Sequence, residues 1–417
     1  MSLYDKASIA LIPSGTKASK VYSVLPANGD GDFTHTRTNT TATRVNKDGL
    51  IEDVGSNIPR LDYPITNDVV GDCPHLLLEP NRSNYLERTE EFSNSYWTKY
   101  NSSVSANQVV SPDGTVTADK LIENTVNTQH EMGRAFGFTS GLTYVVSVFA
   151  KSSERNLQIR GGNTATFPAN ANFDLSNGTI QSTSLGTAYI EDYGNGWYRC
   201  MVKATASASS TTNVNFRLVN GTISTYTGDG SSGVFLWGAQ NEIGLYPTSY
   251  IPWDGSGSTT RSLDVCNKTG VESLLGQTEG TLFLEFVPLD TSSLQIMFQI
   301  RTTGSTNVGQ VDIRFQSSQI RALGSDNNGT TQFNILGGSI TAGTNYKAAI
   351  RYKTNDAKFY INGSSVGTDT SCSFTSSTKQ QISFAENLSS LLPSIKVKQA
   401  IVFNEALTDS ELATLTS

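Results

Sequence analysis

Apolar and polar positions alternate along much of this chain with the period of two that places successive side chains on opposite faces of a strand. Residues 142–151 (LTYVVSVFAK) put Leu142, Tyr144, Val146, Val148 and Ala150 on one face. Residues 196–202 (GWYRCMV) and 233–239 (GVFLWGA) predict further strands. Between them lie turn signals, Ser111-Pro112-Asp113-Gly114, Ser176-Asn177-Gly178 and Thr227-Gly228-Asp229-Gly230. Strands at this spacing predict an antiparallel sandwich over 84–254. A Gly/Ser/Thr stretch, 255–265, reads as a linker. A second alternating pattern then covers 266–417. In Gln295–Arg301 it sets Ile296, Phe298 and Ile300 inward and Gln295, Gln299 and Arg301 outward, and Val311, Ile313 and Phe315 repeat it. Strands over 346–352, 358–361 and 395–403 follow, and Thr408-Asp409-Ser410-Glu411 is a capping box that opens a short helix carrying Leu412 and Leu415.

Residues 1–83 have the weakest periodicity. They hold strand candidates at 8–12 and 20–25 and a hairpin turn at Lys47-Asp48-Gly49. So few large apolar groups bury too little surface to stand alone, which predicts an extended adaptor ordered against partners. The expected fold class is therefore all-β: an extended N-terminal adaptor followed by two antiparallel β-sandwich domains of jelly-roll or concanavalin-A-like form.

Composition narrows the function classes. Of the 417 residues only 16% are charged, and the net charge is −7 without a basic run, which argues against nucleic acid as a partner. The first residues contain no apolar stretch longer than IALIP, too short for a signal peptide or a membrane span. Cys73, Cys200, Cys266 and Cys372 are scattered without C-x-x-C or a Cys/His cluster, so isolated buried thiols are expected rather than zinc. Three histidines, His35, His75 and His130, lie outside any metalloprotease or nucleophile motif, and no G-x-S-x-G, Walker or dinucleotide glycine pattern occurs. Glu191 and Asp192 are adjacent and would face opposite sides of a strand. No catalytic residue, cofactor or metal is expected. Asn28-x-Asp30-x-Asp32 begins like a calcium loop but lacks the glycine and distal glutamate, and reads as a turn.

Several segments resemble a known family. TATRVNKDGLIEDV, CPHLLLEPNRSNYLERTEEFSNSYWTK, SPDGTVTADKLIE, IEDYGNGWYRCMV and YTGDGSSGVFLWGAQNEIGLYPTSYIPWDGSGSTTRSLDV run in this order through the first 265 residues. They resemble bacteriophage head-fibre, head-spike and tail-fibre structural proteins. EGTLFLEFVPL, YKAAIRYKTNDAKFYINGSSVG and IKVKQAIVFNEALTDSELATL resemble a laminin-G or concanavalin-A-like lectin sandwich. The resemblance implies a non-enzymatic protein exposed on the virion. Residues 1–83 would attach it to capsid or tail proteins, usually as a homotrimer, and the sandwiches would display weak sites for host-surface or environmental glycans. A polysaccharide depolymerase or a secreted adhesin is the alternative. Related carbohydrate-binding modules carry a calcium-ligating aspartate in the final strand, where this chain has Phe235-Leu236-Trp237-Gly238-Ala239-Gln240.

Sugar recognition uses aromatic faces with Asn, Asp and Arg hydrogen bonds. Trp253, outside any predicted strand, and Tyr96, beside Trp97, are the aromatic candidates; an inter-domain contact competes for Trp253. Asp326 and Asn327 are the loop candidates, with a solvated turn as the competing reading. Trp97, Trp197 and Trp237 sit in apolar runs and are expected in the core. Asp113 and Asp119 bracket a loop whose backbone N–H groups they could bind.

Overall fold

The computed structural model describes residues 2–17, 19–305, 307–374, 379–385 and 393–417. The architecture is all-β and every strand pairing is antiparallel; helix is confined to Asp409–Thr416 and two 3₁₀ turns among the described residues. The capping box closes in both directions, with Thr408 accepting from the Glu411 N–H and Glu411 accepting from the Thr408 N–H.

Residues 98–243 form a sandwich of two six-stranded sheets. Gly233–Ile243, Thr143–Ser152 and Trp197–Thr205 are adjacent in one sheet, and Glu131–Phe138, Ser210–Val219 and Asn156–Gly161 in the other. Tyr144, Val146, Val148 and Ala150 fill the core between them with Trp97, Phe138, Phe167 and Phe216. Leu142 precedes its strand and is exposed instead. The opposite face of the Thr143–Ser152 sheet is buried too: Phe149, Trp197 and Trp237 pack there with Tyr250 and Ile51. Asp119 is buried and accepts the backbone N–H groups of Ser93 (3.1 Å) and Asn107 (2.9 Å), and Asp113 accepts that of Thr115 (3.0 Å).

The extended adaptor expected over 1–83 is not what these residues form. Ile9–Lys17 pairs with Ile395–Phe403, setting Ile9 opposite Val402, and Phe33–Thr36 pairs with Val265–Thr269. His75–Leu78 also joins Ile395–Phe403. Ile9, Leu11, Val21, Phe33, Leu61, Leu76 and Leu78 share one core with Leu282, Phe286, Phe298, Ile350 and Val397. The segment is too poor in apolar groups for its own core, and it completes the C-terminal sandwich instead. The middle sandwich is thus an insertion. Its incoming and outgoing segments, Arg82–Asn84 and Thr259–Arg261, pair with each other, so 255–265 is partly paired rather than a free linker.

A buried ionic network holds this neck. Asp264 receives Arg37 Nη1 (3.1 Å), Arg60 Nη2 and the Glu79 N–H (3.0 Å), and its Oδ1 lies 3.2 Å from His35 Nε2. Glu79 receives Arg60 (2.7 Å), Arg261 (3.0 Å) and the Ser249 N–H (2.9 Å). Burial alone would raise both carboxyls. The surrounding Arg60, His35 and Arg37 instead hold Asp264 well below the usual range, while Arg261, Arg60 and Ser249 bring Glu79 down to about 2.

In the C-terminal sandwich the clean alternation of Gln295–Arg301 fails. All seven residues are buried, and the register shifts between Ile296 and Phe298. That bulge brings Met297, with Phe298 and Ile300, into the core. Buried polar side chains here are satisfied by neighbouring segments: Gln295 Nε2 donates to the Asp290 backbone carbonyl (2.7 Å) and Gln299 Nε2 to Ser383 Oγ (2.9 Å), while on the next strand Arg314 Nε donates to Asp312 Oδ1 (2.6 Å). All four cysteines are free thiols, and Cys73 departs from expectation by being exposed.

Candidate cleft between the hairpin and the middle sandwich

The hairpin of Thr43–Val45 and Ile51–Asp53 closes through Asn46, whose Oδ1 accepts the Asp48 (2.9 Å) and Leu50 (3.0 Å) N–H groups. Gly49 sits at φ +78°, where a Cβ would lie 2.7 Å from Val70, so the turn requires glycine. The hairpin is pinned to the middle sandwich at three points. Ile51 N–H donates to the Pro112 carbonyl (2.9 Å), Thr43 Oγ1 to the Tyr250 carbonyl (2.7 Å), and the Ile51 side chain enters the cluster with Trp237 and Tyr250.

A cavity of about 460 Å³ remains beside this seam. Glu52 and Asp53 come from the hairpin, and Arg88, Thr89, Glu90 and Glu91 from the loop after Asn84. Asp113, Trp237, Tyr250 and Trp253 complete the wall. Local geometry aims these groups. Strand Gly233–Ile243 bulges at Gly238, φ +62°, where a Cβ would lie 2.8 Å from Phe149. The bulge sets Trp237 opposite Phe149, and the two rings meet at 5.4 Å. Arg88 holds φ +50°, a conformation that costs energy in a non-glycine residue. Its carbonyl accepts Trp97 Nε1 (3.0 Å), its guanidinium pairs with Glu91 (2.9 Å) and lies 4.3 Å from the Trp253 ring centre.

The cleft is strongly acidic. Glu52 is answered by Arg44 (2.6 Å) and Glu91 by Arg88. Glu90 has no basic partner among the described residues; its Oε1 accepts the Tyr250 hydroxyl (2.8 Å). Burial raises the Glu90 carboxyl to about 7 against that hydrogen bond, and Asp113, Asp53 and Glu91 add to the rise. Partial burial, with Asp113 nearby, also raises Asp53. Trp237 is buried and its Nε1 has no hydrogen-bond partner.

Of the sequence candidates only Trp253 reaches this cavity, half-buried with Nε1 donating to the Gly257 carbonyl (3.2 Å). Tyr96 is committed elsewhere. Its hydroxyl accepts the Glu87 N–H (3.0 Å), Arg134 covers its ring at 3.9 Å, and its edge meets Trp97. Asp326 caps its own turn in the C-terminal sandwich, accepting from Asn328 N–H (2.9 Å), Thr330 N–H (2.9 Å) and Gln332 Nε2 (3.0 Å), with Asn327 exposed at the tip. The structure does not bring these residues together. Glu90, Asp53 and Arg88 were missed; the run Thr89-Glu90-Glu91 outside any strand pattern was the available signal. No group of three or more His, Cys, Asp or Glu among the described residues is arranged to hold a metal ion. In the turn 28–32 Asn28 Oδ1 accepts the Asp30 N–H (3.1 Å), and Asp32 Oδ1 accepts the N–H of Ser23 in the neighbouring strand (2.9 Å).

No family model matches the chain, and no curated protein matches it. Solved structures share parts of the fold. The carbohydrate-binding module of a Ruminococcus gnavus sialidase, bound to α2,3-sialyllactose, is 11% identical over 34% of this chain and 84% of its own, with a TM-score of 0.30. A pentraxin from Limulus polyphemus is 16% identical over 33% of this chain and 70% of its own, with a TM-score of 0.27. The NanB sialidase of Streptococcus pneumoniae is 19% identical over 36% of this chain and 26% of its own, TM-score 0.30. At such scores none of the three bears on what this chain binds.

Proposed function

We propose that this protein displays β-sandwich modules on a bacteriophage particle and binds glycans in the cleft between the hairpin and the middle sandwich. The observation that carries the binding site is the cleft itself: a concave space walled by carboxylates, by Arg88 and by the half-buried indole of Trp253. Sugars present apolar C–H faces and hydroxyl groups, which these groups match. Particle attachment and a homotrimeric state rest on the sequence resemblance; many copies would strengthen a weak single site.

On a glycan array the multivalent protein is expected to retain a defined sugar set, and Trp253→Ala should weaken that binding roughly 2–10-fold, since a lost aromatic contact costs about 0.5–1.5 kcal/mol. Retention unaffected by Trp253→Ala would remove the cleft from consideration. The reading is binding without turnover, so incubation with retained polysaccharide should release no new reducing ends. Release that stops in Glu90→Gln would turn the assignment to hydrolysis, with Glu90 as proton donor. For the particle role, mass spectrometry and immunolabelling of purified phage should find the chain on the virion surface; its consistent absence from particles would refute that placement.

A further inference from the structure

The middle sandwich carries a second polar surface, on the outer face of the sheet that does not border the cleft. Strands Glu131–Phe138, Ser210–Val219, Asn156–Gly161 and Asn170–Asp174 lie side by side there. Met132, Phe216, Ile159 and Ala171 stand in register across them and turn into the core. Alternation sends the rows on either side outward. One row is Gly133, Asn215, Arg160 and Asn170; the other is Glu131, Arg217, Gln158 and Asn172.

Most of these side chains are committed to one another. Glu131 accepts Arg217 Nε (2.6 Å) and Asn215 Nδ2 (3.0 Å), Arg217 Nη2 donates to Gln129 Oε1 (2.7 Å), and Gln158 Nε2 to Asn172 Oδ1 (2.7 Å). Asn215, Arg217 and Gln158 are buried in this layer. Gly133 makes room for it, since a Cβ there would lie 2.0 Å from Asn215 Oδ1.

Arg160 is left over. Its guanidinium makes no hydrogen bond among the described residues, and its nearest carboxylate is the Glu131 already held by Arg217, 3.9 Å away. The Arg160 side chain is 21% exposed and none of its nitrogens is closed off from solvent. Two cations thus share one anion in a half-buried polar layer. Burial and the nearby Arg217 pull the Arg160 guanidinium below its usual range against the opposing pull of Glu131. What the face lacks is one negative charge, and a carboxylate fits the planar fork of a guanidinium. The groups around Arg160 add a second requirement. Asn170 stands opposite it with its side-chain amide unpaired among the described residues. Asn172 keeps an unused Nδ2 donor, and Asn213, whose Nδ2 donates to the Tyr100 hydroxyl (3.0 Å), keeps an unused Oδ1 acceptor. Donors and acceptors mixed in this way suit hydroxyl groups, which both give and take hydrogen bonds.

We propose that this face binds an acidic sugar, a pyranose carrying one carboxylate. The carboxylate pairs with Arg160, and ring hydroxyls meet Asn170, Asn172 and Asn213. The site goes beyond the cleft and does not depend on it.

The test is calorimetric titration of the full-length protein near neutral pH with four probes: trigalacturonate, trimannuronate, the methyl ester of trigalacturonate, and citrate. At least one acid trimer should bind ~10-fold or more tightly than the ester, as a charge-assisted contact provides. That margin should shrink as salt rises and fall towards one in Arg160→Gln. Asn170→Asp sets a carboxylate beside Arg160 without removing a buried group, and should weaken the acid trimer ~10-fold even where Arg160→Gln fails to fold. Trp253→Ala should leave this binding unchanged. Equal binding of the ester overturns the proposal, and so does citrate binding as tightly as the acid trimers, which reduces the face to a general anion site. Acid-trimer binding that survives Asn170→Asp but is lost in Trp253→Ala also overturns it, while supporting the cleft. Binding of neither acid trimer overturns it and leaves the cleft to the array.

Discussion

Replacing Asp264 by asparagine is expected to destabilise the folded protein by about 3–5 kcal/mol at neutral pH, the cost of leaving buried charges unpaired. Asp264 is fully buried and is the anion shared by Arg37, Arg60 and His35 at the neck. An amide keeps the shape but removes the charge, so buried Arg37 loses its counterion and buried Arg60 keeps only Glu79. Denaturant unfolding of wild type and variant measures the difference; a change below ~1 kcal/mol would show that the network contributes little. The pH dependence follows from the depressed carboxyls. A folded pKa below the unfolded value gives stability that is present above the unfolded pKa and is lost as pH falls through the folded one. For Glu79, lowered from 4.5 to about 2, this amounts to roughly 3 kcal/mol at neutral pH. Wild type should therefore lose stability steadily below about pH 4.5 as Glu79 and Asp264 protonate, and its advantage over Asp264→Asn should narrow with it.

Deleting residues 2–83 is expected to unfold the C-terminal sandwich rather than merely detach the protein from a partner. The seven large apolar side chains this segment places in the shared core, Ile9, Leu11, Val21, Phe33, Leu61, Leu76 and Leu78, are each worth ~1.5–3 kcal/mol of burial. Together that is about 10–20 kcal/mol, comparable with the whole stability of a domain at ~5–15 kcal/mol. Limited proteolysis of the truncated chain should digest residues 265–417 while a fragment near 84–254 survives, because the middle sandwich has its own core. A protease-resistant C-terminal fragment would contradict this. Loss of particle incorporation by that deletion is consequently no evidence for an attachment role; point substitutions on exposed residues of the segment are needed.

The sandwich strands were legible because alternation is local, and so were the turns at Lys47-Asp48-Gly49 and Ser176-Asn177-Gly178 and the capping box at Thr408. The pairing of Ile9 with Val402 was not, since nothing near either residue records a partner so distant. Bulges are similarly silent: Gly238 and the shift at Ile296 each move side chains that simple alternation assigns elsewhere. The cleft draws on the hairpin, the 88–91 loop, Asp113 and the 250–253 segment. Trp253 could be singled out because a large aromatic outside a strand has no core to enter. Glu90 offered only the run Thr89-Glu90-Glu91, because its raised carboxyl arises first from burial and then from Asp113 and Asp53, which only the fold brings near. Tyr96, next to Trp97 in sequence, illustrates the opposite error, an aromatic whose ring and hydroxyl are already used by Arg134 and Glu87.

The closure of the first strand against the last has a consequence for how the chain is made. Ile9 must wait for Val402, about 390 residues later, which at ~5–20 residues per second means roughly 20–80 s of synthesis. The inserted sandwich can complete itself on the ribosome during that interval. The nascent N-terminal segment spends it with apolar strands uncovered, so a chaperone that binds exposed hydrophobic stretches has its natural target at the beginning of this protein.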